Sequence, residues 1–525
     1  MTYDLLIKDG MIIDGTGKPR FLADVGVKAG RIQDIGSPTL PSAGSSKTVP
    51  AFGKFVTPGF VDITSHADKN WTLFQNPLQD YLLTQGVTTI LVGNCGSSLA
   101  PLVSPEAAAS LRKWEATSRN INWATVRELL EELSRHPLGP NVATLVGHGT
   151  LRRGILAGES RRMSAEELQQ AVEHLERGIS EGAYGLSTGL VYSHEQPATA
   201  EELTALAKVL ARHGAVYKTH LRHEGADLIP AMNEAVEIAR ESKAKVIVSH
   251  FKAIGRKSWP LFPKALAMIE RANAHGQPFH FDVSPYQRTG SFLYLLLPSW
   301  AREGGFPAML ERIANPANRS AIIEELKRLT LHYDRYIVAS SIMTDTNSLT
   351  IAEVAERAGS SPEEAILELL AANGGRVTIF GKTLAFSNVV AGLTHPLGIV
   401  ASDASGVSAE LGETGKLVHP RATGAFPHFL HRFVHEAGLM SWEEGLRKIT
   451  SLPADAAGFA ERGRIAKGQY ADLVIFDPEK IRDRSTYLNP YVHSIGIEAV
   501  VINGKLALEN GQLTGTASGQ VLKKS

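Results

Sequence analysis

Residues 88–96 read TTILVGNCG and hold the only cysteine of a 525-residue chain. Thr88, Thr89, Ile90, Leu91 and Val92 form an apolar run with β-branched character, and Asn94-Cys95-Gly96 follows it closely. The pattern predicts a buried strand that opens into a tight turn at the cysteine. A lone cysteine is ordinarily a small buried hydrophobe. Two further stretches change that reading. AVYKTH and KVIVSH also run an apolar strand pattern straight into a polar side chain, ending at His220 and His250. Thiolate and imidazole are preferred zinc ligands, and three such groups with a fourth position open make the catalytic arrangement.

The same texture extends through the middle of the chain. From Val61 onward short apolar strands alternate with amphipathic helices, the signal for βα units on a parallel sheet. Candidate strands fall at GFVDI near 59, TTILVGN near 88, VATLVG near 142, AYGLST near 183, AVYKT near 215, KVIVS near 245, FHFDVS near 279 and GIVAS near 398. That α/β count closes a (β/α)8 TIM-type barrel, whose active site lies at the carboxyl ends of the strands. The polar residues at or just beyond those ends are His66, Cys95, His148, Tyr192, His220, His250, Tyr286 and Asp403. One histidine after a strand is ordinary hydrogen bonding; recurrence on nearly every strand predicts a site. Helix starts are marked by capping-box spacing at Ser164/Glu167, Thr199/Glu202, Ser361/Glu364 and Ser441/Glu444. Val126, Leu129, Leu130 and Leu133 then form one apolar stripe.

Both chain ends have a different texture. Residues 1–57 alternate short strands (Asp4 to Ile7, Met11 to Asp14, Asp24 to Lys28, Arg31 to Ile35) with turns at Asp9-Gly10, Asp14-Gly15 and Ala29-Gly30. Residues 461–525 return to strands at Gly463 to Ile465, Asp472 to Phe476, Ile497 to Ile502 and Lys505 to Leu508, and 512–525 reads as a terminal arm. The two ends are expected to pair into one small β-sandwich beside a barrel spanning 58–460. Between the seventh and eighth strands, residues 287–395 carry helical patterns and the apolar run RYIVASS at 335–341, which is too much structure for a loop. This inserted subdomain leaves from the carboxyl end of a strand, where it can form a lid or one wall of the site.

Composition sets outer bounds. Lysine and arginine total 54, aspartate and glutamate 54, and hydrophobic residues 43%, as in an ordinary globular protein without an electrostatic footprint for nucleic acid. No apolar run approaches the ~20 residues that span a bilayer. The chain starts on an alternating strand rather than a signal segment. A cytoplasmic protein with no nucleic-acid or membrane partner is the expectation, and the oligomeric state stays open. One cysteine excludes an internal disulfide framework and leaves the thiol free for a metal.

These motifs, taken together, resemble the amidohydrolase superfamily along essentially the whole chain. The outer frame is DLLIKDGMIIDGTG, TPGFVDITSHAD and GRIAKGQYADLVIFDP; GNCG, GHGTLR at 147–152, GLSTGLVY, THLRHEG, SHFKA, DVSPY and HPRATGAFP at 419–427 are similar, more narrowly, to its N-acyl-D-amino-acid deacylase branch. In that branch a cysteine takes the place of the carboxylated lysine of hydantoinase-like relatives, and AYGLST has no lysine. The resemblance implies that Cys95, His220 and His250 hold zinc and that Asp403 is the general base. It further implies that Tyr192, Lys252 and Arg421 clasp the substrate's α-carboxylate and that Tyr286 lines the carbonyl side. His148 has no implied ligand role and reads as a hydrogen-bonding residue near the site. Where the family has His-x-His after the first strand, this chain has Thr64-Ser65-His66. A threonine hydroxyl is a poor zinc ligand beside imidazole. One tightly held zinc is therefore expected, with His66 a weak or second-site ligand or a hydrogen-bonding residue.

The implied reaction is hydrolysis of a small-molecule N-acyl-D-amino acid to a D-amino acid and a carboxylate, with Asp403 moving the proton from water to the departing amine. The preference for D comes from the resemblance alone. Arg288, just beyond Tyr286, would suit an acidic substrate or simply be solvated. Two other readings remain: an amidohydrolase acting on a cyclic amide or dipeptide, and a catalytically lapsed amidohydrolase-like protein serving in assembly or binding.

Overall fold

Apolar residues near the two chain ends converge on a single sheet. The computed structural model describes residues 3–37, 40, 45–111, 120–329 and 331–524. In its nine-stranded sheet Phe55–Pro58 pairs antiparallel with Leu473–Phe476, so a strand from each end forms the seam. Ile7, Val25, Val56, Leu473, Ile475 and Val501 interlock along one face. Two sequence expectations change here. Asp9-Gly10 is not a turn between two strands but a bulge within Leu5–Ile12, with Asp9 at φ 58°, the extra residue being taken up without leaving the ladder. Gly463 to Ile465 is not a strand; Ile465 N instead donates to Asp14 O.

The middle of the chain is α/β. Phe60–Asp62, Val87–Val92 and Asn141–Thr144 run parallel in one ladder. Val146–Gly147, Gly185–Gly189, Val216–His220, Lys245–Val248, Phe279–Val283 and Gly398–Val400 run parallel in another. Because side chains alternate between faces along a strand, one set (Val61, Leu91, Leu145, Val216, Ile247, Ile399) packs on itself. The other (Ile90, Val142, Leu186, Val246, Phe281) packs under the surrounding helices. Residues 516–524 do not trail away as an arm: Val521 bridges to Val142, Leu522 N donates to Val142 O, and Leu522 packs on the first of these sets.

The helices begin as their caps dictate. Ser164/Glu167 and Ser361/Glu364 form reciprocal capping boxes, and the stripe Val126, Leu129, Leu130 and Leu133 is buried. At Thr199 only the hydroxyl caps, because the Glu202 carboxylate is drawn away to His148 and Arg152. At Ser441 the partner carboxylate, Glu444, binds Arg447 instead.

Between the last two parallel strands the chain builds its own core from Leu293 to Ile379 around an antiparallel sheet of Arg288–Phe292, Thr378–Lys382 and Tyr336–Ser340. The helix Phe386–Thr394, within the segment predicted as inserted, returns Val389 and Leu393 to the main core. Among the described residues no helix is long and apolar enough to cross a membrane.

A buried polar knot ties the end sheet to the parallel strands. Arg462 pairs with Asp472 and donates to Asn503 Oδ1 at 2.9 Å. Asn141 Nδ2 donates to Asp472 Oδ2 at 3.1 Å. Removing one partner of a buried ion pair strands the other charge at a cost of about 3–5 kcal/mol. Arg462→Met is expected to lower unfolding stability by about that amount, read as a shift of the urea midpoint with an unchanged m-value.

Candidate metal centre

Where the parallel strands end, the chain turns sharply, and the turns carry the reactive side chains. Cys95, His250 and Asp403 have φ of 53°, 37° and 52°. Non-glycine residues seldom adopt this left-handed region, at a cost of order 1–3 kcal/mol each, and they persist there only when their surroundings over-determine them. Gly96 behind Cys95 sits at φ 75°, and a Cβ there would collide with the Glu195 carboxylate. His220 needs no such turn, since it is the last residue of its own strand.

These turns bring Cys95, His220 and His250 together: their ligand atoms lie within 4.8 Å of one another, and all three residues are buried. Cys95 Sγ is 3.4 Å from His250 Nε2 and 3.7 Å from His66 Nε2. His66 Nε2 in turn stands 3.4 Å from Asp403 Oδ1. Neither ring nitrogen of His220 has a hydrogen-bond partner. A buried thiol, a buried imidazole whose ring nitrogens make no hydrogen bond and a second imidazole at contact distance are a donor set that fits zinc. Burial acts to raise the Cys95 thiol, but His250, His220 and His66 around it hold it well below its ordinary value, which favours the thiolate that binds metal.

Around the cluster Asp403, Glu224 and Lys252 are each paired with an opposite charge. Arg421 Nη1 is 2.7 Å from Asp403 Oδ2. Burial would raise the Asp403 carboxyl, yet Arg421, His250 and His66 hold it well below the usual range. Lys252 Nζ lies 2.7 Å from His250 Nδ1 and donates to Glu224 Oε1 at 2.6 Å. Lys252, Tyr286, Asp403 and Arg421 line one cavity. The Tyr286 ring stacks on His428 at 4.4 Å, and its buried hydroxyl has no partner. Tyr192 is not among the residues lining this cavity, and its ring lies 5.5 Å from that of His220. The inserted segment supplies part of the cavity wall through Arg288, Thr289 and Gly290. Arg288 itself donates to Arg335 O at 3.0 Å and lies over the Tyr487 ring.

Sequence reasoning missed Glu224. It sits 3.5 Å from His220 Nε2, 3.1 Å from His250 Nδ1 and against Lys252. Burial would raise its carboxyl, but Lys252 and the two imidazoles hold it well below the usual range. Its place in THLRHEG, four residues after His220, was the available signal. His148 is fully buried, with Nδ1 2.8 Å from Glu195 and Nε2 2.7 Å from Glu202. Thr64 Oγ1 donates to Asp282 Oδ2 and accepts from Lys218 Nζ, each at 2.7 Å.

Comparison with known proteins matches this geometry to a family. The sequence model of the Amidohydrolase family matches residues 47–507. D-aminoacylase of Alcaligenes xylosoxydans xylosoxydans is 30% identical over 100% of this chain and 98% of its own length. N-acyl-D-glutamate deacylase of the same organism is 32% identical over 95% of this chain and 93% of its own. Among solved structures, N-acyl-D-glutamate deacylase from Bordetella bronchiseptica, complexed with zinc and a phosphonate mimic of the tetrahedral intermediate, aligns with a TM-score of 0.84 and 31% identity over 100% of both chains. A D-aminoacylase studied for its binuclear metal centre aligns with a TM-score of 0.83 and 30% identity over 99% of this chain and 100% of that one. The chain belongs to the amidohydrolase family, within its group of D-aminoacylases and N-acyl-D-amino-acid deacylases.

Proposed function

We propose that this protein is a zinc-dependent deacylase that hydrolyses N-acyl-D-amino acids to a D-amino acid and a carboxylate, working in the cytoplasm on a small-molecule substrate. The observation that carries the reading is the buried convergence of Cys95, His220 and His250 beside Asp403. In this reading the parallel strands form a (β/α)8 TIM-type barrel with the site at their carboxyl ends, the chain ends form a small β domain that is one nine-stranded sheet rather than the two-sheet sandwich expected from sequence, and the insertion walls the site.

Cys95, His220 and His250 would hold one zinc ion. Bound there, zinc supplies Lewis acidity that polarises a carbonyl and lowers the pKa of water. Thr64 supports a single tight ion, since its hydroxyl is already engaged by Asp282 and Lys218. His66, close to both Cys95 and Asp403, is then a weak ligand or a hydrogen-bonding residue. Asp403 takes the proton of the attacking water and returns it to the amine nitrogen as the C–N bond breaks. Arg421 and Lys252 with Tyr192 hold the substrate's α-carboxylate, and Tyr286 offers its unpartnered hydroxyl to the carbonyl side. A fixed carboxylate orients the scissile amide toward the ion and Asp403, which replaces a bimolecular search by a preset approach.

Two outcomes test this. Purified wild type should carry about one zinc per chain and hydrolyse members of an N-acetyl-D-amino-acid panel, whereas Cys95→Ala should lose metal and turnover together; wild type that neither binds added zinc nor turns over the panel would sink the reading. Asp403→Asn should keep its zinc while kcat falls by about 10²–10⁴; a kcat within a few-fold of wild type would remove Asp403 from the proton-transfer role.

A further inference from the structure

Directly beneath the proposed ligands lies a polar unit that the reaction does not use. Lys218, fully buried two residues before His220 on the same strand, directs its ammonium at three acceptors: Thr64 Oγ1 at 2.7 Å, Asp282 Oδ2 at 2.8 Å and Ser249 Oγ at 2.9 Å. An ammonium has three donors, so every one is used. Asp282, also fully buried, accepts from Thr64 and Lys218 on Oδ2, which leaves Oδ1 for a different task. That oxygen accepts the backbone N–H of His250 at 2.7 Å, and the Asp282 carbonyl accepts the next one, from Phe251, also at 2.7 Å.

His250 is the residue that needs holding. Its φ of 37° is the lowest positive value among the described non-glycine residues, in a region where β-carbon sterics oppose the chain. The lysine stabilises a carboxylate that would be costly to bury alone, and the carboxylate grips the strained peptide. We propose that Lys218 and Asp282 are positioning residues for His250, the ammonium fixing the carboxylate and the carboxylate holding the main-chain turn that aims the imidazole at Cys95. The inference rests on His250 being a zinc ligand. It assigns the metal's geometry to a buried ion pair that touches neither metal nor substrate. Partners that orient a ligand typically change metal affinity by about 10- to 100-fold when removed.

The test compares two double variants that delete the same charges. In Lys218→Met/Asp282→Asn the amide oxygen can still accept from His250 N–H; in Lys218→Met/Asp282→Leu nothing can. Zinc affinity is read by chelator competition, and the cobalt-substituted proteins are compared by their thiolate-to-cobalt and d–d absorption. The asparagine variant is expected to bind zinc within about 3-fold of wild type, and the leucine variant about 10- to 100-fold more weakly with a shifted cobalt spectrum. Equal affinities and spectra in the two would overturn the proposal, because a merely structural ion pair makes them equivalent. Should the leucine variant fail to fold, hydrogen exchange of wild type decides: a His250 amide exchanging as slowly as the strand interior supports the grip, and fast exchange rejects it. Wild type that binds no zinc would reject the deacylase reading itself, an outcome separate from zinc-bound variants that behave alike.

Discussion

Backbone strain at the strand ends is the constraint on which this structure depends. Cys95, His250 and Asp403 all stand in the left-handed region, where each costs free energy that surrounding contacts must offset. Relaxing any one to extended geometry would re-aim its side chain, because in an extended chain successive side chains point to opposite faces of the sheet. The contacts that oppose relaxation are visible in each case. Gly96 N donates to Ser187 Oγ behind Cys95, Asp282 grips His250, and Arg421 holds Asp403. A short, well-packed strand followed by an over-determined turn lets a side chain on one strand meet a side chain from another at van der Waals distance.

The same economy governs charge. Asp403 with Arg421, Glu224 with Lys252, and Asp282 with Lys218 are buried or nearly buried pairs within one small region. Burying any of these charges alone would be prohibitive, whereas a pair with all hydrogen bonds satisfied is tolerated. Each pair also touches the histidine-cysteine cluster: Asp403 reaches His66, Lys252 and Glu224 reach His250, Glu224 also reaches His220, and Asp282 holds the His250 backbone. The cluster therefore sits in a polar shell whose own members lock one another. This is the preorganised setting in which electrostatic stabilisation of a transition state is strongest.

The insertion has its own core, so its sheet is buried by the insertion's own side chains and not by the parallel strands. Its Arg288–Phe292 strand borders the cavity, with Gly290 facing the Arg421 guanidinium. Arg302 reaches from the insertion to the Val191 carbonyl beside Tyr192, and Leu417 N donates to Ala339 O just before the segment carrying Arg421. Two sides of the site are thus braced by one element that is absent from the repeating strand-helix pattern.

By itself the sequence determined the α/β texture, the places where strands end, and which residue types stand there. Those features are local, because alternation, β-branching and capping residues act over a few neighbours. Set beside the family motif, it also placed Thr64, a poorer zinc ligand, where a histidine was expected. Tertiary structure decided the rest. Asp9-Gly10 became a bulge because the pairing of Leu5–Ile12 with Phe21–Lys28 continued past it. Glu202 abandoned its helix cap because a buried imidazole and guanidinium offered stronger partners. Glu224 joined the site, and Lys218, Asp282 and Thr64 closed on one another, only when residues up to 218 positions apart were brought within hydrogen-bonding distance. No periodicity encodes such meetings, since burial and charge pairing depend on which strands become neighbours.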